Sequence, residues 1–105
     1  MSAAEPRTIT CSARQLQRKF KHAADFGVMG KYSRQQAIMF EQAIRAHSED
    51  ETTLMIPGMY RGEPVTHFVH PQTRLNVMRD TQGAFVSGWR LTWIQLTHVL
   101  VRSNL

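Results

Sequence analysis

Five consecutive residues, Arg18-Lys19-Phe20-Lys21-His22, place an imidazole among cationic side chains at the end of an expected helix. Breaking RNA without a metal needs three things: a group that takes the proton from the 2′-hydroxyl, one that protonates the leaving 5′-oxygen, and positive charge on the phosphorane between them. Histidine and lysine can supply all three. The neighbouring lysines depress the His22 pKa, which keeps the imidazole neutral near pH 7 and suits it to the base role, with the acid role also open. On spacing alone, however, a basic helix with one histidine can equally be a solvated face. A second group bears on the choice. Ser87-Gly88-Trp89 falls on an expected strand, where alternation puts Ser87 and Trp89 on one face beside Phe85 and Arg90 on the other. There Trp89 can stack on an unpaired base and Ser87 can hydrogen-bond a phosphate oxygen, the alternative for Trp89 being a place in the core.

Other residues point elsewhere. His67 and His70 lack a nearby cluster of carboxylates or cysteines and fall on opposite strand faces, so no metal and no cofactor is expected. Asp25-Phe26-Gly27 repeats a protein-kinase tripeptide, but the chain has no room for the rest of a kinase. Met29, Met39, Met55, Met59 and Met78 share no spacing and are expected to fill the core. Cys11 is the one cysteine, so an internal disulfide is excluded.

Charge favours a polyanionic partner, nucleic acid or an acidic protein: the formal net charge is +5. Its distribution is uneven. Up to residue 34 the chain carries Arg7, Arg14, Arg18, Lys19, Lys21, Lys31 and Arg34 against Glu5 and Asp25, whereas the remainder is balanced. Arg14, Arg18, Lys31 and Arg34 are therefore the expected RNA-binding side chains beyond the catalytic group.

The elements that must hold these residues can be read from periodicity. Ser12-Ala13-Arg14-Gln15 has the form of a capping box and opens a helix over 13–22 with Leu16 and Phe20 inward; Gly27 and Gly30 then break the chain. Ser33-Arg34-Gln35-Gln36 repeats the pattern before Ala37, Phe40, Ala43 and Ile44, a second helix running to about residue 47. Past Glu49-Asp50-Glu51 the chain turns to short β-prone runs at 65–70, 74–78 and 84–91, with a further strand before Tyr60. Thr92 can cap a short closing helix, although Thr97 and Val99 also suit a strand. The fold class is α+β: N-terminal helices packed on a four- or five-stranded antiparallel sheet in a small single domain. Residues 1–11 are expected to be a flexible segment or linker remnant and 12–105 the domain. No apolar stretch is long enough to span a membrane, and no apolar stripe is left over for a partner, which favours a monomer.

Leu16-Gln17-Arg18-Lys19-Phe20-Lys21-His22-Ala23-Ala24-Asp25-Phe26-Gly27 resembles the opening of the colicin D-like nuclease toxin domains, and Ser87-Gly88-Trp89 resembles their closing motif. The likeness extends over about residues 12–91. It implies a C-terminal toxin domain of a colicin or contact-dependent inhibition protein, delivered as part of a larger secreted or cell-surface protein and acting in the target-cell cytoplasm. It also implies metal-independent cleavage of tRNA in the anticodon region and neutralisation by a cognate acidic immunity protein. Carried over by position, His22 becomes the catalytic acid or base, Lys19 and Lys21 the phosphate-binding or charge-stabilising groups, and Ser87 and Trp89 active-site contacts. The competing expectation is a non-catalytic basic module that only grips nucleic acid, in which His22 has no special role. A small protein-interaction domain, an antitoxin or adaptor, is a further one.

Overall fold

The computed structural model describes residues 6–105, and the expectation for residues 1–5 lies outside them. Three α-helices, α1 (Ala13–Lys19), α2 (Arg34–Glu49) and α3 (Trp93–Arg102), pack on an antiparallel meander of β1 (Leu54–Tyr60), β2 (Glu63–Val69), β3 (Leu75–Arg79) and β4 (Phe85–Arg90). The fold is therefore α+β, as expected.

α1 is shorter than its periodicity predicts. After Lys19 the backbone tightens into a 3-10 helix, Phe20–Phe26, ended by Gly27 in the left-handed region at φ 84°. The sequence contains the reason. In a 3-10 helix side chains three apart eclipse, so Phe20, Ala23 and Phe26 share one row and Lys19, His22 and Asp25 another. The first row is inward: Ala23 is buried, Phe20 meets Phe40 edge-on at 5.9 Å, and Phe26 lies 5.8 Å from the same ring. The second row carries the polar and charged side chains. Asp25-Phe26-Gly27 thus divides into a strand contact, a core residue and a stop.

The first two caps also differ from expectation. Ser12 and Ser33 accept from the amides of Gln15 and Gln36, but the glutamine side chains do not reach back; Gln15 donates to the Val86 carbonyl and Gln36 to that of Met29. Thr92 and Gln95 close the reciprocal box that opens α3, and a helix rather than a strand ends the chain.

Pairing puts Val77, Gly88 and Phe68 on the sheet face packed by α2 and the 3-10 helix, around Phe40 and Ile44. Val69, Asn76, Met78, Ser87 and Trp89 lie on the other face, where α3 contributes Leu96 and Val99. A bulge at Val86 shifts the register between Met78 and Arg79, so Phe85 points to the α2 face, opposite to Ser87 and Trp89. The expected alignment of Phe85 with those two residues is corrected accordingly, because alternation fails across a bulge.

Both edges of the sheet are covered. On the β4 side, Thr10 bonds to Gly83 and Phe85, Gln15 to Val86, and the Asp25 carboxylate accepts from the amide of Arg90. On the β1 side, Ser103 and Leu105 bond to Met59 and Arg61. Residues 6–11 therefore belong to the folded body rather than to a flexible segment: Ile9 is buried, and Arg7 donates to three carbonyls at Ser48, Asp50 and Thr53.

Two further expectations are corrected. Of the methionines, Met78 is fully buried, whereas Met29, Met39 and Met59 are exposed. An apolar stripe is also left over: Trp93, Ile94, Leu100 and Val101 are exposed along the outer side of α3, where helical spacing gathers them, and the Arg74 guanidinium lies 4.5 Å from the Trp93 ring centroid.

Candidate active site

Lys19, Lys21, His22, Ser87 and Trp89 come together with Tyr60 and Arg61 around one cleft of about 220 Å³. The 3-10 helix wraps the β4 edge and so delivers His22 to the sheet face that carries Ser87 and Trp89. Gly88 makes this approach possible. A Cβ there would lie 2.9 Å from the Asn76 carbonyl oxygen and 3.2 Å from the ring of Phe26, so only glycine lets the Phe26 row pack against β4.

The His22 and Trp89 rings are 5.7 Å apart and tilted by 35°, and Tyr60 meets Trp89 at 5.9 Å. The indole N–H donates to Gln95 Oε1 at 3.3 Å, an oxygen that also accepts from the amide of Thr92. Trp89 is thus fixed by the start of α3 and props both His22 and Tyr60.

Ser87 is 1% exposed, and its hydroxyl has no hydrogen-bond partner in the protein. A buried hydroxyl without a partner costs about 1–3 kcal/mol. Lining the cleft, it offers a donor to an incoming oxygen.

Electrostatics in the cleft follow from burial and crowding. The His22 pKa is lowered mainly by desolvation and then by Lys21 and Lys19, while Asp25 opposes them. The lysine effect anticipated from sequence is present, but burial is the larger cause. Lys19 is lowered too, by desolvation and by Lys21, Arg61 and Arg18. Lys19 is thereby brought nearer neutrality than its free form, while His22 is held in its neutral, proton-accepting form.

Arg14, Arg18, Lys31 and Arg34 are exposed and do not line the cleft; Arg34 borders a separate groove with Cys11 and Tyr32. Sequence reasoning missed Tyr60 and Arg61. They sit at the β1–β2 turn, where Arg61 and Gly62 both have positive φ, 51° and 81°, as a two-residue type I′ hairpin requires. The signal available was an Arg-Gly pair between two β-prone runs.

Two histidines outside the cleft have structural partners. His67 is buried, with Nε2 donating to the Met59 carbonyl and Nδ1 accepting from Asn76, which ties β1, β2 and β3 together. His47 Nε2 donates to the Phe68 carbonyl at 2.7 Å. Among the described residues no three of His, Cys, Asp and Glu converge as metal ligands.

Fold and site together define a small α+β domain whose cationic cleft holds a histidine beside an unpaired hydroxyl. The chain belongs to the colicin D family, whose model matches residues 15–99. The match thus runs past Leu91 into α3. Colicin-D of Escherichia coli is 37% identical over 82 residues, which is 76% of this chain but 12% of that protein's length. A solved structure described as a ribonuclease from Escherichia coli complexed with its inhibitor protein superposes with a TM-score of 0.78 at 33% identity, covering 87% of this chain and all of that one.

Proposed function

We propose that this domain is a toxin ribonuclease that cuts tRNA in the anticodon region without a metal. The convergence of His22, Lys19 and Lys21 on the unpaired hydroxyl of Ser87 carries the proposal. The 2′-oxygen of one nucleotide attacks its own 3′-phosphorus, so the O2′–P bond forms and the P–O5′ bond breaks. Neutral His22 takes the 2′ proton, and Lys19, with its lowered pKa, gives one to the leaving 5′-oxygen. Lys21, Arg61 and the Ser87 hydroxyl hold the phosphorane oxygens, while Trp89 positions the imidazole. A 2′,3′-cyclic phosphate and a 5′-hydroxyl remain. The same positive charges disfavour a divalent cation in the cleft, so the metal-independent route fits the donor set.

Arg14, Arg18, Lys31 and Arg34 extend the cationic surface that steers the tRNA backbone. An acidic immunity protein that covers His22 would neutralise the domain by occupying the same charges. Delivery within a larger secreted toxin and action in the target-cell cytoplasm complete the proposal; no helix of the described residues is long and apolar enough to cross a membrane.

Tightly controlled expression of the chain, with and without His22→Ala, tests this by inspection of total tRNA. Discrete fragments ending in cyclic phosphate, produced by the unmodified chain alone and in excess chelator, are expected. Intact tRNA with both folded proteins would favour the binding module, and loss of cutting with chelator would overturn the mechanism.

A further inference from the structure

Beside the catalytic cleft lies a second groove, larger at about 400 Å³. Tyr60 and Arg61 line both, so the two are continuous through the β1–β2 turn. The groove crosses the sheet face that carries Ser87, on the part that α3 leaves open. Pro64, Val65 and Val86 give it apolar walls and the Tyr60 ring closes one side. Its charge leans the other way from that of the cleft: Glu63 and Asp80 stand at its rim, with Arg61 alone against them at the shared end. The Asp80 carboxylate is committed to its own turn, accepting from the amides of Gln82 and Ala84. Glu63 is exposed, and its carboxylate has neither a hydrogen bond nor an ion pair to any described residue.

A phosphate would be repelled by these carboxylates, whereas an uncharged planar ring with outward donors would not. We propose that this groove takes an unpaired nucleobase next to the scissile phosphate, and that Glu63 selects guanine there. Guanine presents two adjacent donors, N1–H and the 2-amino group, on its Watson–Crick edge, and one carboxylate accepts from both. Inosine keeps N1–H but lacks the 2-amino group, and adenine lacks both donors. Tyr60 and the Arg61 guanidinium, which lies over the Tyr60 ring 5.2 Å from its centroid, supply the stacking planes. The inference rests on the ribonuclease reading for its substrate, but not on the acid–base roles.

The test uses 2′-O-methyl uridine hexamers, which cannot be cleaved, each carrying one guanosine, inosine or adenosine at successive positions. Binding to the unmodified domain and to Glu63→Gln is followed by fluorescence anisotropy. At one position guanosine should bind about tenfold more tightly than inosine or adenosine, the discrimination a bidentate pair provides. Glu63→Gln should lose that advantage and bring adenosine to parity or better, because an amide pairs with the donor and acceptor of adenine. Val86→Phe, which fills the groove, should weaken all three alike. Equal binding of the three bases, or guanosine preference surviving in Glu63→Gln, would overturn the proposal. Cleavage of all-ribose hexamers without base preference would overturn the groove alone; preference in the methylated strands without any cleavage would overturn the ribonuclease reading and leave the groove standing.

Discussion

Replacing Ser87 with alanine should make the domain more stable and less active at once. The hydroxyl is buried at 1% exposure and unpartnered, so the folded state bears a desolvation cost that the unfolded chain does not. That cost is about 1–3 kcal/mol, and the small void left by removing one oxygen offsets part of it, leaving a gain of about 1 kcal/mol. With a urea dependence of about 2 kcal/mol per molar, the unfolding midpoint should rise by about 0.5 M. Activity should move the other way. A hydrogen bond to a charged oxygen is worth about 1.5–3 kcal/mol, so losing it from the transition state should slow cleavage roughly 10- to 150-fold. Urea melts followed by tryptophan fluorescence, with single-turnover cleavage of a tRNA under the same buffer, read both quantities. A midpoint that falls together with activity would refute the reasoning, because the hydroxyl would then be engaged in holding the fold.

His22→Ala should abolish cleavage while leaving the urea midpoint within about 0.5 kcal/mol of the unmodified domain, since the ring is only partly buried; a large destabilisation would make its role structural. The acidic limb of the pH–rate profile should lie below the ordinary imidazole value of 6.5, because burial and the two lysines favour neutral His22; a limb above that value would contradict the site. Gly88→Ala should lower stability by about 1–3 kcal/mol and take activity with it, as the new methyl displaces Phe26 and with it the His22 row, measurable by thermal unfolding and cleavage together. His47 and His67 are also lowered from 6.5, chiefly by burial. The unfolded chain therefore binds these protons more readily than the folded one, so stability is full above 6.5 and should decline as pH falls through the lowered folded values; a melting temperature that rises in that window would reverse the sign. Cys11, pushed up to about 11 by burial and by Glu41, should react slowly with thiol reagents at neutral pH until urea opens the fold.

Much of the domain could be read from local pattern. The stripe from Ala37 to Ile44, the three strands after residue 64 and the Thr92 cap all follow from spacing, whereas His22, the lysines, Ser87 and Trp89 are joined into one group by the resemblance to the colicin D-like domains. What was not legible depended on distance or on broken regularity. Tyr60 and Arg61 reach the site only because the twisted sheet brings the β1–β2 turn over β4, a long-range fact that no local spacing records. The Val86 bulge reversed the face of Phe85. Residues 6–11 look like a tail by composition, yet Ile9 enters the core and Thr10 pairs with the β4 edge. Arg7 was counted in the positive excess of the first third but is bound to backbone carbonyls.

The wrapping of β4 by the segment that carries Lys19 and His22 makes the cleft a reporter of completeness. Its two halves come from opposite ends of the sequence and meet only when the whole sheet is formed. A proteolytic nick in the loop around Gly30 would leave neither fragment with a full set of groups, and the sheet fragment would be left with the naked strand edge that proteins usually protect against self-association. Damage to this domain should therefore end in insoluble material with no cleft rather than in a weakened but persistent one.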